Sequence, residues 1–250
     1  MSRFFVEASQ IMGGEIIIND TQDLRHLIKV LRAAPGYITE VSDKSGWEYR
    51  AELVRFEGET GVFRILDKQH FTREPKLKVT LYQGIPKAAK MEQVIQKTVE
   101  LGVSRIVPVF CSRTIATDTG GTDNKLTRWR KISAEAVKQC RRGFIPEIAA
   151  PVKLKDTIPE IASAEAAIFP YEDEREFTIK DFLRGISENI SVKPPATVSV
   201  VIGPEGGFSD DEAAMLKGSG VTAVSLGKTV LRTETAGLAA LSMVMYELEL

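Results

Sequence analysis

Residues 201–212, VIGPEGGFSDDE, run two apolar residues, Val201 and Ile202, into a Gly-Pro-Glu-Gly-Gly turn and then straight into a helix start. Gly203, Gly206 and Gly207 allow positive φ and the close approach of another backbone or a ligand, while Pro204 stiffens the turn. Ser209 with Glu212 three residues on spells a capping box, so the next helix begins at a defined place. Glu205 is a carboxylate lodged in the most constrained part of the loop, where a group that contacts a ligand would be held still. A second candidate is LGKTVLRTETA, residues 226–236. It leaves an apolar segment at Leu226-Gly227 and enters a final helix with Leu238, Leu241, Met245 and Leu248 on one face. Thr233 or Thr235 can cap that helix, and Glu234 suits its positive end. Each loop alone could be an ordinary tight connection; together, both following apolar strands, they could form two walls of one pocket. Neither matches GxxxxGK[ST] or GxGxxG, so ATP, GTP and NAD are not indicated.

Charge gives a third lead. The 250 residues hold 33 Lys+Arg against 34 Asp+Glu, so bulk electrostatics makes no case for nucleic acid. Between Lys125 and Pro146, however, Lys125, Arg128, Arg130, Lys131, Lys138, Arg141 and Arg142 face one acid, Glu135. Such a run can be a solvated helix face, but its net excess and the interspersed Trp129 also suit phosphate binding. An acidic run, Glu172, Asp173, Glu174 and Glu176 around Arg175, balances it elsewhere. The two cysteines, Cys111 and Cys140, and the two histidines, His26 and His70, form no CxxC or HExxH pattern; a disulfide framework and a metal site are not expected, and both cysteines read as packed thiols. MSRFFVEASQ carries no apolar signal region, and no run approaches the roughly 18 apolar residues of a membrane span. The expectation is a cytoplasmic protein with no membrane partner.

The elements that hold these loops begin with residues 3–66, which read as short strands at 3–6, 15–18, 37–43, 47–56 and 61–66. WEYRAEL has the period of two expected of a half-buried strand, and the strands together suggest a small closed or partly closed barrel. One helix, DLRHLIKVLR, places Leu24, Leu27, Ile28 and Leu31 on a stripe and ends at Pro35-Gly36. Residues 69–76 read as a linker. Beyond them strands at 77–85, 105–110, 166–170, 197–203 and 223–227 alternate with helices at 88–101, about 123–141 and the two that follow the candidate loops. Near-continuous apolar strands alternating with helices predict a parallel sheet covered on both faces, and in such sheets ligands sit outside the carboxyl ends of the strands.

GPEGGFSDDE and LGKTVLRTETA resemble the two signature loops of the RsmE-type 16S ribosomal RNA uridine N3-methyltransferases of the SPOUT superfamily. HLIKVLRAAPG (26–36), QKTVELGVSRIVP (96–108) and RWRKISAEAVKQCRRGFIPEI (128–148) extend the match in the same order, so it runs essentially end to end. The resemblance implies an α/β fold with two domains: residues 1–72 as an N-terminal PUA-like β-barrel that binds RNA, and residues 73–250 as a SPOUT domain whose chain forms a trefoil knot. It further implies S-adenosylmethionine as cofactor without a metal, 16S rRNA of the small ribosomal subunit as substrate, and a homodimer. Carried onto this chain, the cofactor loops comprise Ile202, Gly203, Pro204, Glu205, Gly206 and Gly207, then Leu226, Gly227, Leu231, Arg232, Thr233, Glu234, Thr235 and Ala236, with Phe169 and Pro170 as a third wall.

Uridine N3 carries a proton that must leave before or during attack, which calls for a base or for a cation that stabilises the uridine anion. Glu205 is the candidate base or orienting group, and Arg232 the candidate cation; structural readings, a loop tie for Glu205 and an ion pair to Glu234 or Glu205 for Arg232, stay open beside these. Arg142 is expected to reach the partner's pocket across a dimer. Arg3, His26, Lys29, Arg32, Arg128, Lys138, Arg141 and Arg142 are the RNA-contact candidates. A non-catalytic RNA-binding protein and an α/β enzyme acting on a small acid or nucleotide are the competing classes; the intact loops weigh against the first and the basic stretch against the second.

Overall fold

The structure, a computed structural model, describes residues 3–114, 122–188 and 195–250. Its chain divides into two units, Met1–Glu74 with Val137–Ile145, and Pro75–Ala136 with Pro146–Leu250.

In the first unit, strands β1 (Arg3–Phe5), β2 (Ile11–Met12), β3 (Glu15–Ile18), β4 (Ile38–Ser42), β5 (Trp47–Phe56) and β6 (Gly61–His70) pair in the order β1-β4-β5-β6-β3-β2. Of the closed or partly closed barrel expected here, the closed form is not what is seen: β1 and β2 are the two ends of this order, and no pairing between them closes the sheet among the described residues. Phe4, Ile16, Ile18, Val41, Leu53 and Phe63 fill its core, which is the inward half of the alternation read from the sequence. β6 also runs on to His70, and Phe71 is buried, so the polar stretch 69–76 begins as strand rather than linker.

The helical stretch departs from its expected stripe for a physical reason. Asp20 caps α1 (Thr21–Arg25) by accepting from the backbone N–H groups of Gln22 and Asp23. From His26 to Val30 the chain then widens into a π-turn, with the Leu31 N–H reaching back five residues to the His26 carbonyl. The wider turn advances each side chain by less than the α-helical 100°. Leu24 and Leu27 stay buried while Ile28 is turned out to 50% exposure.

In the second unit, β7 (Lys78–Gly84), β8 (Arg105–Phe110), β9 (Glu147–Ile148), β10 (Val152–Lys153), β11 (Ala166–Pro170), β12 (Thr197–Ile202) and β13 (Thr222–Val224) form one sheet, in the order β10-β8-β7-β12-β11-β13 with β9 also on β8. Every pairing is parallel, as near-continuous apolar strands require. One face is covered by α4 (Leu154–Ala162) and α6 (Asp210–Gly218), whose Ile158, Ile161, Ala213 and Leu216 pack with Tyr82, Val109, Phe169 and Val201. Across β7 and β12 lies α7 (Thr233–Leu248), which packs against α2 (Lys90–Glu100) and α5 (Ile179–Ser187). The long α3 (Thr122–Cys140) buries Leu126, Trp129, Ser133 and Val137. Trp129 is therefore a packing residue at 6% exposure, not an aromatic platform among the cations. No helix among the described residues is long and apolar enough to cross a membrane.

Candidate active site

Beyond the carboxyl ends of β11, β12 and β13 lies a cavity of about 1140 Å³. The segment after β12 lines it with Gly203, Pro204, Glu205, Gly207 and Phe208, and the segment after β13 lines it with every residue from Ser225 to Thr233. Both loops expected to form walls of one pocket do so. Ile202, Pro170 and Ala236 also line it, whereas Phe169, at 0% exposure, points into the core against Phe208 and Tyr171 and is not part of the wall. Gly206 is turned away, its carbonyl accepting from the Arg113 guanidinium.

The first loop is fixed by close packing and by two part-buried ties. A Cβ on Gly84, at the end of β7, would lie 2.5 Å from the Pro204 nitrogen and 2.7 Å from the Gly203 carbonyl carbon, so the two backbones pass in contact there. Gly207 combines a φ of +68° with a carboxylate oxygen of Glu172 only 3.2 Å from where its Cβ would stand. Ser209 and Glu212 form the expected capping box. The Glu212 carboxylate also accepts from the Ser112 N–H at 2.7 Å and its hydroxyl at 2.9 Å, which ties the helix start to the segment after β8. The second loop is joined to the first at the cavity floor. Thr233, one of the two threonines offered as a cap for α7, instead donates its hydroxyl to the Gly203 carbonyl at 2.5 Å and accepts from Gln83 Nε2 at 2.8 Å. Neither threonine caps: Arg232 stands at the N-cap position, and no side chain fills that role.

Glu205 is exposed at the rim. Its Oε1 accepts from the Lys87 N–H at 3.0 Å and the Lys90 ammonium at 3.3 Å. Partial burial alone would raise its pKa, but these donors outweigh that effect and hold it below the ordinary carboxylate value. Lys90 pairs in addition with Glu234. Arg232 is exposed and, among the described residues, makes no ion pair with Glu205 or Glu234. Thr235 is exposed and, like Glu234, lies outside the lining.

The other expected contacts scatter. Arg3 is only 3% exposed. Its guanidinium donates to the Arg141 and Arg142 carbonyls and pairs with Glu40 and Glu48, so it is a buried brace and is not presented to RNA. Arg142 is likewise buried, at 7%, with its guanidinium forked on Glu74. Lys138 pairs with Asp23, and Arg128 with Glu92. Half-buried His26 meets the Phe4 ring edge-on at 6.2 Å. Lys29, Arg32, Arg128 and Arg141 are the candidates that stand exposed.

Sequence reasoning passed over Lys90, Tyr171, Glu172, Glu174, Arg175 and Thr178, all of which line the cavity. A signal was available for most of them: 171–178 directly follow the carboxyl end of β11, the same rule that picked out the other two loops. Cys111 is a packed thiol whose pKa is pushed up to about 12 by burial and then by Glu212. Among the described residues no three His, Cys, Asp or Glu side chains converge to hold a metal.

Residues 73–245 match the RNA methyltransferase domain family. The chain is 28% identical over its whole length to the ribosomal RNA small subunit methyltransferase E of Bacillus subtilis strain 168, covering 98% of that protein. It is 31% identical to the Synechocystis protein of the same name, over 99% of this chain and 78% of the relative. The crystal structure of a ribosomal RNA small subunit methyltransferase E from Neisseria gonorrhoeae bound to S-adenosyl methionine superposes with a TM-score of 0.85 at 28% identity, over 98% of this chain and 97% of that one.

Proposed function

The chain belongs to the RNA methyltransferase family, and from that premise we propose that it transfers a methyl group from S-adenosylmethionine to N3 of a specific uridine in the 16S rRNA of the small ribosomal subunit. The observation that carries this reading is the joining of two signature loops into one cavity at the carboxyl ends of parallel strands. Its size, about 1140 Å³, is ample against the ~300–1,000 Å³ of sites for drug-sized ligands. Gly203, Leu226 and Gly227 stand in its walls, where glycine lets backbone approach a nucleoside closely. Bound there, the cofactor supplies an electrophilic methyl group on a sulfonium.

The protein's part is then to aim two reactants and manage one proton. Arg232, at the rim and without an ion-pair partner among the described residues, is placed to stabilise the uridine anion. Glu205, a carboxylate held charged by its donors, suits orienting a ligand and fixing the loop better than taking a proton. Residues 73–250 serve as the SPOUT methyltransferase domain with a knotted chain, and residues 1–72 as a PUA-like RNA-binding module. Lys29, Arg32 and Arg141 meet the rRNA backbone, and the active form is a homodimer in the cytoplasm.

The test is methyl transfer from labelled S-adenosylmethionine to small subunits that lack the modification, with the product located by reverse-transcription stops. An N3-methyl blocks the pairing edge of uridine, so label incorporation with a single stop at a uridine is expected. Cofactor binding without any incorporation into 16S rRNA overturns the substrate assignment.

A further inference from the structure

Lys90 is the first residue of α2, where a cation opposes the positive end of the helix dipole. Its ammonium nevertheless lies 3.3 Å from Glu205 Oε1 and 3.2 Å from Glu234 Oε2, with the side chain only 30% exposed. Three separate elements therefore meet on one nitrogen: the start of α2, the loop after β12 and the first turn of α7. Two residues earlier Ala88 holds a φ of 55°, a left-handed conformation that a side chain disfavours. The neighbouring Lys87 directs its N–H to the same Glu205 oxygen. An unfavourable cation and a strained alanine at one helix start make little sense for the helix alone, and both serve the contact with the cavity loops.

We propose that Lys90 is a positioning residue that clamps the two cavity loops together at the mouth, while Gln83, Thr233 and Gly203 hold them at the floor. Glu234 makes the clamp consequential. Its side chain is 13% exposed, and its inner oxygen is buried with no hydrogen bond besides the approach of Lys90. Without the ammonium that carboxylate faces Glu205 across the gap with no counter-charge, and the two loops repel. Flanked by two carboxylates, the lysine is held in place and unavailable to a substrate anion, which leaves Arg232 for that role. The consequence for catalysis rests on the methyl-transfer reading; the clamp itself does not.

Hydrogen exchange in the ligand-free protein tests the clamp. Lys90→Met is expected to speed amide exchange at residues 205–208 and 228–233 while the floor amides keep their protection. The same variant is expected to weaken S-adenosylmethionine binding about tenfold, with KM for the cofactor rising more than kcat falls, and Lys90→Arg restores both. Glu234→Gln added to Lys90→Met adds less than it does alone, because both act on one contact. Should Lys90→Met fail to fold, Glu234→Gln removes half of the clamp and carries the same comparison. Unchanged exchange overturns the proposal, as does faster exchange with unaltered cofactor affinity. A wild-type protein that binds no S-adenosylmethionine, with exchange still faster in the variant, overturns the methyl-transfer reading and leaves the clamp standing.

Discussion

At the scale of single residues, the donors around Glu205 decide what it can do. A carboxylate with a depressed pKa is a weaker base than usual, so Glu205→Gln is expected to lower kcat less than Arg232→Ala does, with cofactor affinity measured beside both. Equal losses in kcat and affinity for Arg232→Ala would make that residue structural. The pH dependence follows the sign of the shift. Because the folded pKa lies below the ordinary 4.5, the ionised Glu205 contributes its full share of loop order above that value and loses it as pH falls toward the depressed one. Protection of the 205–208 amides, taken relative to free-peptide exchange at the same pH, is therefore expected to stay flat at neutral pH and to fall only on acidification below about 4.5. Cys111 makes a simpler case: with its thiol pushed up to about 12, alkylation near neutral pH is expected to spare it until the protein unfolds, as mass spectrometry of digests reads directly. Glu205 and Arg232 could be picked from sequence because glycines and a helix start mark their loops. Arg3 and Arg142 could not be read correctly, since burial depends on Glu40, Glu48 and Glu74 arriving from elsewhere in the chain.

Elements show the same division between local and distant causes. Strand alternation, the Ser209–Glu212 capping box and the parallel arrangement were all readable, each set by residues a few positions apart. α4 and α5 were not: α4 carries Pro159 inside it, and the Thr178–Asp181 capping box that starts α5 sits behind an acidic run. The π-turn at His26–Val30 follows no pattern of apolar spacing, and it overturned the stripe that spacing predicts. The β7 end offers the sharpest test of how elements build the site. Gly84 is not in the left-handed region, so Gly84→Ala changes nothing in backbone preference but drives a methyl group into Gly203 and Pro204. Overpacking of this kind costs ~1–3 kcal/mol. Calorimetry should register that loss of stability, and the displaced loop should weaken S-adenosylmethionine binding more than Ser209→Ala, which removes only a cap.

For the molecule as a whole, RNA affinity should follow exposed charge and not the count of basic residues. Lys29 and Arg32 stand exposed while Arg142 is committed to Glu74. Reversing Lys29 and Arg32 to Glu is expected to weaken binding to 16S rRNA and to flatten the plot of log affinity against log salt by about one unit per lost phosphate contact. An unchanged slope removes that helix from the interface. Arg142→Glu is a poor probe of the same question, because it sets a buried carboxylate against the half-buried Glu74 and unfolds its surroundings first.

The position of β12 also governs how this protein comes into being. Residues 197–202 fill the centre of the second sheet, between β7 at 78–84 and β11 at 166–170. While the chain emerges from the ribosome, β7 with β8 and β11 alone must wait as separate pieces with unpaired apolar edges, because the strand that joins them is made nearly last. Pairing over such sequence distances is slow and leaves intermediates prone to association. Nascent chains arrested before residue 197 are thus expected to be cut readily by protease across 78–170, and chains extended beyond α7 to resist, with protection arriving in one late step.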